Sequence, residues 1–380
     1  NLPAGVAGAI VSFADYAATW QTSNVTVTPN GTDKIGSLNG NTILATEGQS
    51  VTFVFVDSTQ GWINTMDSTS NARGAAFICA SVSGACNTLV TVDTDYKVAT
   101  FTGPGNFTIN SGGGSLAKVD YLVVAGGGGA GSIIAGGGGA GGFRESHCAT
   151  TSGPYTASPL ASSTSLGPFS PGSIPITVGG GGAGSTPPGP TGDGVKGSDS
   201  IFSTITSTGG GNSQDAAPPA SPALGQPGGS GGGGGRRGRA AGNGNTPPVS
   251  PPQGNPGGAG GGPGYAPDSE GSAGGGGGAG AAGGAGAPPN NGGAGGAGVT
   301  SSINDTPTAR AGGGGGGVYT PGTAGTGGTG GGGAGGPGTA PAVAGTANTG
   351  GGGGGAGYPT GGCNGAAGGS GIVIIRYKFQ

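Results

Sequence analysis

Charge is scarce in this 380-residue sequence. Asp, Glu, Lys and Arg together make up 7 % of it, and the net charge is −3. A chain so weakly and slightly negatively charged has no electrostatic basis for holding nucleic acid. Aromatic residues are 5 %, with one Met and two Trp. Two ordinary domains of this combined length would need many more large apolar side chains for their cores. No run reaches the 18 apolar residues of a transmembrane helix. The opening Asn1-Leu2-Pro3 carries no initiator Met, basic segment or long apolar segment, so no signal peptide is expected and the sequence reads as processed or as a piece of a longer one.

Chemistry-bearing residues are equally sparse. The single histidine, His147, lies between Ser146 and Cys148. Residues adjacent in sequence are poorly placed to form a local nucleophile–base device, and a metal site needs three or four ligands. Neither catalysis nor a metal or cofactor is therefore expected. Asp93 and Asp95 would share one face of a strand, as a glycan-cleaving carboxylate pair or a weak Ca²⁺ site would require. A polar hairpin end is the simpler reading. Arg236-Arg237-Gly238-Arg239 has the composition of RNA-binding Gly/Arg segments. One such cluster supplies too little charge for that role, which leaves a surface loop. Of the four cysteines, Cys79 and Cys86 are spaced to close a small loop. Cys148 and Cys363 could meet if their loops share one end of the molecule.

What the sequence has in excess is glycine: 104 residues, about 27 % against roughly 7 % in an average protein. Only 14 fall in residues 1–120, and the other 90 follow. The composition changes near Tyr121. Before it, short β-branched runs recur about every ten residues, the mark of a sandwich or meander. They are Asn24–Thr28, Thr42–Thr46, Ser50–Val56 and Gly61–Ile63, then Ala75–Ile78 and Leu89–Val92. The pair Lys97–Thr102 and Asn106–Asn110 predicts a hairpin across Gly103-Pro104-Gly105. After Tyr121, α-helix is nearly excluded, because Gly and Pro are the two poorest helix formers. Collagen is excluded because glycine does not recur strictly every third residue.

The glycine-rich part opens with Val119–Ala125 and closes with Ser370–Tyr377, each containing a continuous apolar run and so expected to be a strand covered on two faces. We expect these two strands to pair. Between them lie runs such as Gly126–Gly129, Gly136–Gly139, Gly231–Gly235, Gly274–Gly278, Gly312–Gly317 and Gly350–Gly355. Such a composition suits a disordered linker, since ordering a backbone costs about 1–2 kcal/mol per residue and glycine is the worst case. It also suits polyglycine-II helices with three residues per turn, packed side by side and hydrogen-bonded sideways. Similar run lengths, interruption mainly by Ala, and bracketing by two apolar strands favour the ordered lattice.

Two stretches resemble known families. Asn24–Gly31, Lys34-Ile35-Gly36, Thr42-Ile43-Leu44, Val51–Val56 and Gly61-Trp62-Ile63, in this order, resemble a small β-module of bacteriophage tail fibres. Val119–Gly129, Ala140–Glu145, Pro175–Gly180, Gly197–Phe202 and Gly369–Tyr377 resemble the glycine-rich domain of phage tail-fibre and adhesin proteins, whose lead-in is similar to Asp95–Thr102 with Asn106–Ile109. That family includes the receptor-binding adhesins at the fibre tips of T-even-like phages. Unlike those, this chain carries the β-modules itself and reads as a fibre with a built-in tip.

The resemblance implies all-β modules at 1–64, a connector at 65–115, and a polyglycine-II sandwich at 116–380. It implies a virion protein, assembled in the host cytoplasm and acting outside it. Its partners would be a protein or glycan receptor on the host surface and other tail proteins, and it would form a homotrimer through residues 1–115. Function would be attachment without catalysis, nucleic acid or membrane insertion. Candidate receptor contacts are Tyr155, Tyr265, Tyr319 and Tyr358, as sugar-stacking aromatics, with Arg236, Arg237 and Arg239 for anionic sugars. The tyrosines fit equally well as lids over helix ends. A non-viral structural or ice-binding glycine-rich protein and a glycan-degrading spike are the alternatives.

Overall fold

The computed structural model describes residues 1–68, 76–185, 192–214, 224–262, 271–358 and 364–380. It divides into two compact units, Asn1–Gly74 and Ala75–Gln380. The expected boundaries near 64 and 115 are not where the chain divides. The strands between residues 76 and 113 are shared out among the sheets of the second unit, so they form no separate connector.

The first unit holds β1 (Ile10–Ala14), β2 (Val25–Val27), β3 (Thr42–Leu44), β4 (Ser50–Asp57) and β5 (Gly61–Ser68). β4 lies between β1 and β5, and β2 pairs with β3. The alternation in β4 turns Val51, Phe53 and Phe55 onto a core shared with Leu2, Val27, Leu44 and Trp62. The Phe55 and Trp62 rings meet edge to face, with centroids 5.5 Å apart. The buried Asp15 carboxylate accepts the amides of Thr19 at 3.0 Å, Gly48 at 3.0 Å and Trp20 at 3.1 Å. Burial pushes its pKa up, but these hydrogen bonds outweigh it and hold the carboxyl below its ordinary value.

The second unit begins with β6 (Ala76–Val82), β7 (Thr88–Val92), β8 (Tyr96–Phe101) and β9 (Gly105–Gly113), followed by β10 (Asp120–Val124) and β11 (Phe143–Ser146). One turn of helix, α1 (Ala149–Ser152), precedes β12 (Ala161–Ser162), β13 (Gly172–Thr177), β14 (Ser200–Phe202) and β15 (Ile205–Ser207). The hairpin β16 (Val299–Ser301) and β17 (Thr308–Arg310) and the terminal β18 (Ile372–Lys378) complete it. Two sheets form, in the orders β12-β11-β10-β18-β8-β7 and β15-β14-β13-β9-β6.

β10 and β18 pair antiparallel at the centre of the larger sheet, with Val123 opposite Val373. Their apolar runs serve two faces. Tyr121, Val123, Val373, Ile375 and Tyr377 point into the sandwich core with Phe101, Phe107, Ile109, Ile176 and Phe202. Leu122, Val124, Ile372 and Ile374 point the other way, onto Phe143, Ile303, Ala140, Ala279 and Ala311. The expected hairpin between β8 and β9 does not form. Both edges of β8 are taken, by β7 and β18, and both edges of β9 by β6 and β13. Gly103-Pro104-Gly105 is therefore a crossover between the two sheets.

Beyond the larger sheet the glycine runs form a lattice, shown most fully by residues 135–142. Gly137 donates to Gly274 O (3.0 Å), Gly138 to Gly353 O (2.8 Å) and Gly139 to Gly211 O (2.8 Å). Three residues later the same neighbours recur: Ala140 donates to Gly277 O, Gly141 to Gly350 O and Gly142 to Thr208 O. This is the three-residue turn of a polyglycine-II helix. The carbonyls repeat likewise: Gly137 and Ala140 accept from Gly233 and Ser230, Ala135 and Gly138 from Gly317 and Gly314, Gly139 and Gly142 from Gly128 and Ala125. The run thus touches six others, three receiving its N–H groups and three supplying theirs.

Such spacing leaves no room for a side chain. A Cβ on Gly138 would fall on Gly128 O, one on Gly276 on Gly138 O, and one on Gly314 on Gly353 O. Methyl groups enter where a run meets the sheet, as at Ala140, Ala279 and Ala311, which join the apolar cluster there.

Candidate functional site

The runs pass up and down, so the lattice has two ends. Residues 135–142 descend from Ile134 to Gly142, where Phe143 enters β11. Eight residues span roughly 25 Å at about 3.1 Å each. The end at Gly142 is the sheet end, and the end at Ile134 is the far end.

The sheet end holds a buried polar network. Asp120, fully buried, accepts Ser146 Oγ at 2.7 Å, Ser152 Oγ at 2.6 Å and the Cys148 amide at 2.7 Å. Arg376, equally buried within the apolar run of β18, donates from Nε to Ser152 O (2.7 Å), from Nη1 to Ile303 O (3.3 Å) and from Nη2 to Asp93 Oδ2 (2.5 Å). The Tyr96 and Tyr155 rings lie 5.5 and 5.2 Å from its guanidinium. A buried charge persists only when paired in this way. Glu145 accepts Ser158 N at 3.0 Å and Ser301 Oγ at 2.6 Å, and burial pushes its carboxyl above the ordinary value. Arg310 is drawn down by burial, an effect that Glu145 opposes.

This network settles the place of several residues singled out in the sequence. Asp93 sits in the β7–β8 turn holding Arg376, with Asp95 on the far side of the same turn donating its amide to Asp93 O. They are not a facing pair on a strand. His147 directs Nε2 to Gly153 O at 3.1 Å and packs on Tyr155 at 4.3 Å, while Ser146 is spent on Asp120. Among the described residues no group of three or more His, Cys, Asp or Glu could hold a metal. Tyr155 is a lid, its hydroxyl donating to Ser146 O at 3.1 Å and burial driving its phenol far up. It lies at the sheet end, away from Tyr319 and Tyr358.

Cys79, Cys86 and Cys148 are free thiols. Cys79 is held mid-strand opposite Ser111, and Cys86 lies in the following turn at φ 61°, so the loop between them is not closed by a disulfide. Cys148 hydrogen-bonds Thr150 Oγ1 at 3.1 Å, which draws its thiol below the usual range. Cys363 and Tyr265 lie outside the described residues.

The far end gathers the remaining candidates. Tyr319 N donates to Gly271 O, Tyr358 N to Val318 O and Thr320 N to Tyr358 O, all at 2.9–3.0 Å. The two tyrosine rings lean together with centroids 5.8 Å apart, and Tyr358 is 37 % exposed. Asn290 braces them, accepting Gly271 N at 2.7 Å and donating to Pro321 O at 3.1 Å. Arg236 packs against Gly271 and is only 8 % exposed, so it belongs to the floor of this end and not to its surface. Arg237 and Arg239 beside it are half-buried.

Asp120, Glu145 and Arg376 were not singled out in the sequence. Their signal was present, as a charge interrupting or ending an otherwise apolar run in Val119-Asp120-Tyr121, Phe143-Arg144-Glu145 and Ile375-Arg376-Tyr377.

Comparison with known proteins places this architecture. No curated protein and no solved structure matches the chain. The sequence model of a glycine-rich domain family matches residues 99–378. That span runs from within β8 to the last residue of β18, taking in the central strand pair, the whole lattice and the polar network apart from Asp93 and Tyr96. The chain therefore belongs to the glycine-rich domain family.

Proposed function

We propose that this chain is a bacteriophage tail-fibre protein that attaches the virion to a host cell through loops at the far end of its glycine lattice. The observation that carries this reading is the asymmetry of the two ends. The sheet end is framed by buried strands and a hydrogen-bonded ion network, whereas at the far end, among the described residues, Tyr319 and Tyr358 lean together at the surface and Tyr319 is joined through Gly271 to the run that packs on Arg236. Paired aromatics beside arginines suit carbohydrate or protein receptors.

The landmarks that resemble those of phage adhesins support the reading as well. Phe143–Glu145, Ile176, Ser200–Phe202 and Ile372–Tyr377 all lie in the strands framing the lattice. The fibre forms a homotrimer, joins other tail proteins on the virion, and acts by adhesion without bond cleavage.

The test is adsorption of the fluorescent full chain to a panel of bacterial strains. Saturable binding to at least one strain is expected, and Tyr319→Ala with Tyr358→Ala should weaken it about thirtyfold, as loss of a binding hot spot does. Binding to no strain, binding indifferent to these changes, or release of oligosaccharides from the host surface would overturn the reading.

A further inference from the structure

A cavity of about 280 Å³ opens at the sheet end, away from the proposed receptor loops. It is assembled from distant parts of the chain: Phe77 of β6, Ser115 and Leu116, Lys118, the α1 segment at Cys148–Thr151, Ser163–Ser165, and Lys378 at the end of β18. Its size is just below the roughly 300–1,000 Å³ of ordinary small-ligand sites.

The lining is one-sided in charge. Among the described residues it contains two lysines and no carboxylate, in a protein whose net charge is −3. Neither lysine has an acidic partner among the described residues, and the Lys378 ammonium rests 5.1 Å from the centroid of the Phe77 ring. Asp120 stands behind the wall, but its oxygens are occupied by Ser146, Ser152 and the Cys148 amide. Hydroxyls supply the remaining polarity. Ser165 donates to Thr151 at 3.0 Å and Thr150 meets Cys148, while Ser115, Ser163 and Thr164 spend no side-chain hydrogen bond within the described residues. Leu116 and Phe77 add an apolar flank.

We propose that this cavity binds a single sugar residue bearing an oxyanion, such as a hexose phosphate or a uronic acid. Lys118 and Lys378 hold the anion as two point charges. The free hydroxyls take the sugar's hydroxyls, and Leu116 lies along its ring. Each element is matched to one part of such a ligand: the cations to the acid, the hydroxyls to the polyol, the apolar flank to the carbon face. The site is separate from the far-end loops, so it stands or falls independently of the attachment reading.

Cys148 provides the readout because it lines the cavity, while Cys79 and Cys86 are exposed elsewhere and serve as internal references. Iodoacetamide alkylation of the full chain is followed peptide by peptide with increasing glucose 6-phosphate, glucuronate, glucose or inorganic phosphate. The first two should protect Cys148 saturably without protecting Cys79 or Cys86, and glucose should not. Lys118→Gln with Lys378→Gln should weaken that protection by about tenfold or more, as loss of hydrogen bonds to a charged group does. Should the double variant not fold, the wild-type chain at about 1 M salt should lose the protection, since the screening length there falls to about 3 Å. Absence of saturable protection, equal protection by glucose, or protection unchanged in the folded double variant would overturn the site. Inorganic phosphate protecting as well as its sugar ester would overturn the assignment of a sugar.

Discussion

The sandwich and the lattice sit against each other in one unit and are stabilised by opposite means. In the sandwich, side chains fill space: Phe101, Phe107, Ile109, Phe202 and Tyr377 are almost wholly buried, and each large apolar side chain contributes about 1.5–3 kcal/mol by leaving water. In the lattice there is almost nothing to bury, and the backbone's own N–H and C=O groups are the cohesive surface, each bond adding about 0.5–1.5 kcal/mol net. A sandwich position fails when atoms are removed. A lattice position fails when atoms are added. The same substitution to alanine should therefore destabilise both regions for contrary reasons.

That contrast can be attacked directly. Phe107, whose ring meets Phe202 at 6.3 Å and Tyr377 at 5.6 Å, should be the costliest single truncation. Phe107→Ala is expected to lower unfolding stability by about 3–5 kcal/mol in a denaturant titration. Gly138→Ala, which adds one methyl where Gly128 O already lies, should cost about 3 kcal/mol, the upper range for overpacking, because the obstacle is backbone and cannot turn aside. A loss below about 1 kcal/mol there would mean that the lattice breathes enough to admit a side chain, and the contrast would collapse.

The joint between the two regions should respond to pH. Burial raises the Glu145 carboxyl in the folded state above its unfolded value of about 4.3. The fold consequently binds that proton more tightly than the unfolded chain does. Its stabilising contribution is complete below about pH 4.3 and declines as pH rises through the folded value. Glu145→Gln, which keeps an acceptor for Ser301, should remove that decline. The variant should gain on the wild type as pH rises above about 4, read as the difference in unfolding midpoints. The smallest effect is expected at Gly180, an exposed lattice residue around which an added Cβ meets nothing within 4 Å. Gly180→Ala should change stability by less than about 0.5 kcal/mol, and a larger loss would show that glycine is required even where space is open.

Much of this arrangement was legible in the residues. The apolar runs within Val119–Ala125 and Ser370–Tyr377 announced strands covered on both sides, and these strands pair with Val123 opposite Val373. Glycine runs of similar length announced a lattice, because only side-chain-free backbone can approach so closely. What escaped was decided by edges and by distance along the chain. The turn at Gly103–Gly105 looked like a hairpin locally, yet β8 had better partners in β18, some 270 residues away, and in β7. β1 was overlooked because its partner β4 lies some 40 residues downstream and its own pattern leaves Ile10 exposed. The disulfide that the Cys79–Cys86 spacing allowed does not form, because an extended strand carries the first thiol away from the turn holding the second. Of the far-end candidates, sequence could name Tyr319, Tyr358 and the arginines, but not that Arg236 turns inward. That depends on Gly271, from another run, packing against it.

The six-neighbour arrangement around residues 135–142 has a mechanical consequence. A β-sheet is stiff within its plane and compliant across it, since its hydrogen bonds lie in one direction. Here the bonds from one run radiate in several directions around its axis, repeating every three residues. A load applied sideways to the far end therefore meets similar resistance from whichever quarter it comes, and force received at the turns there is passed to the framing strands without a preferred direction of bending.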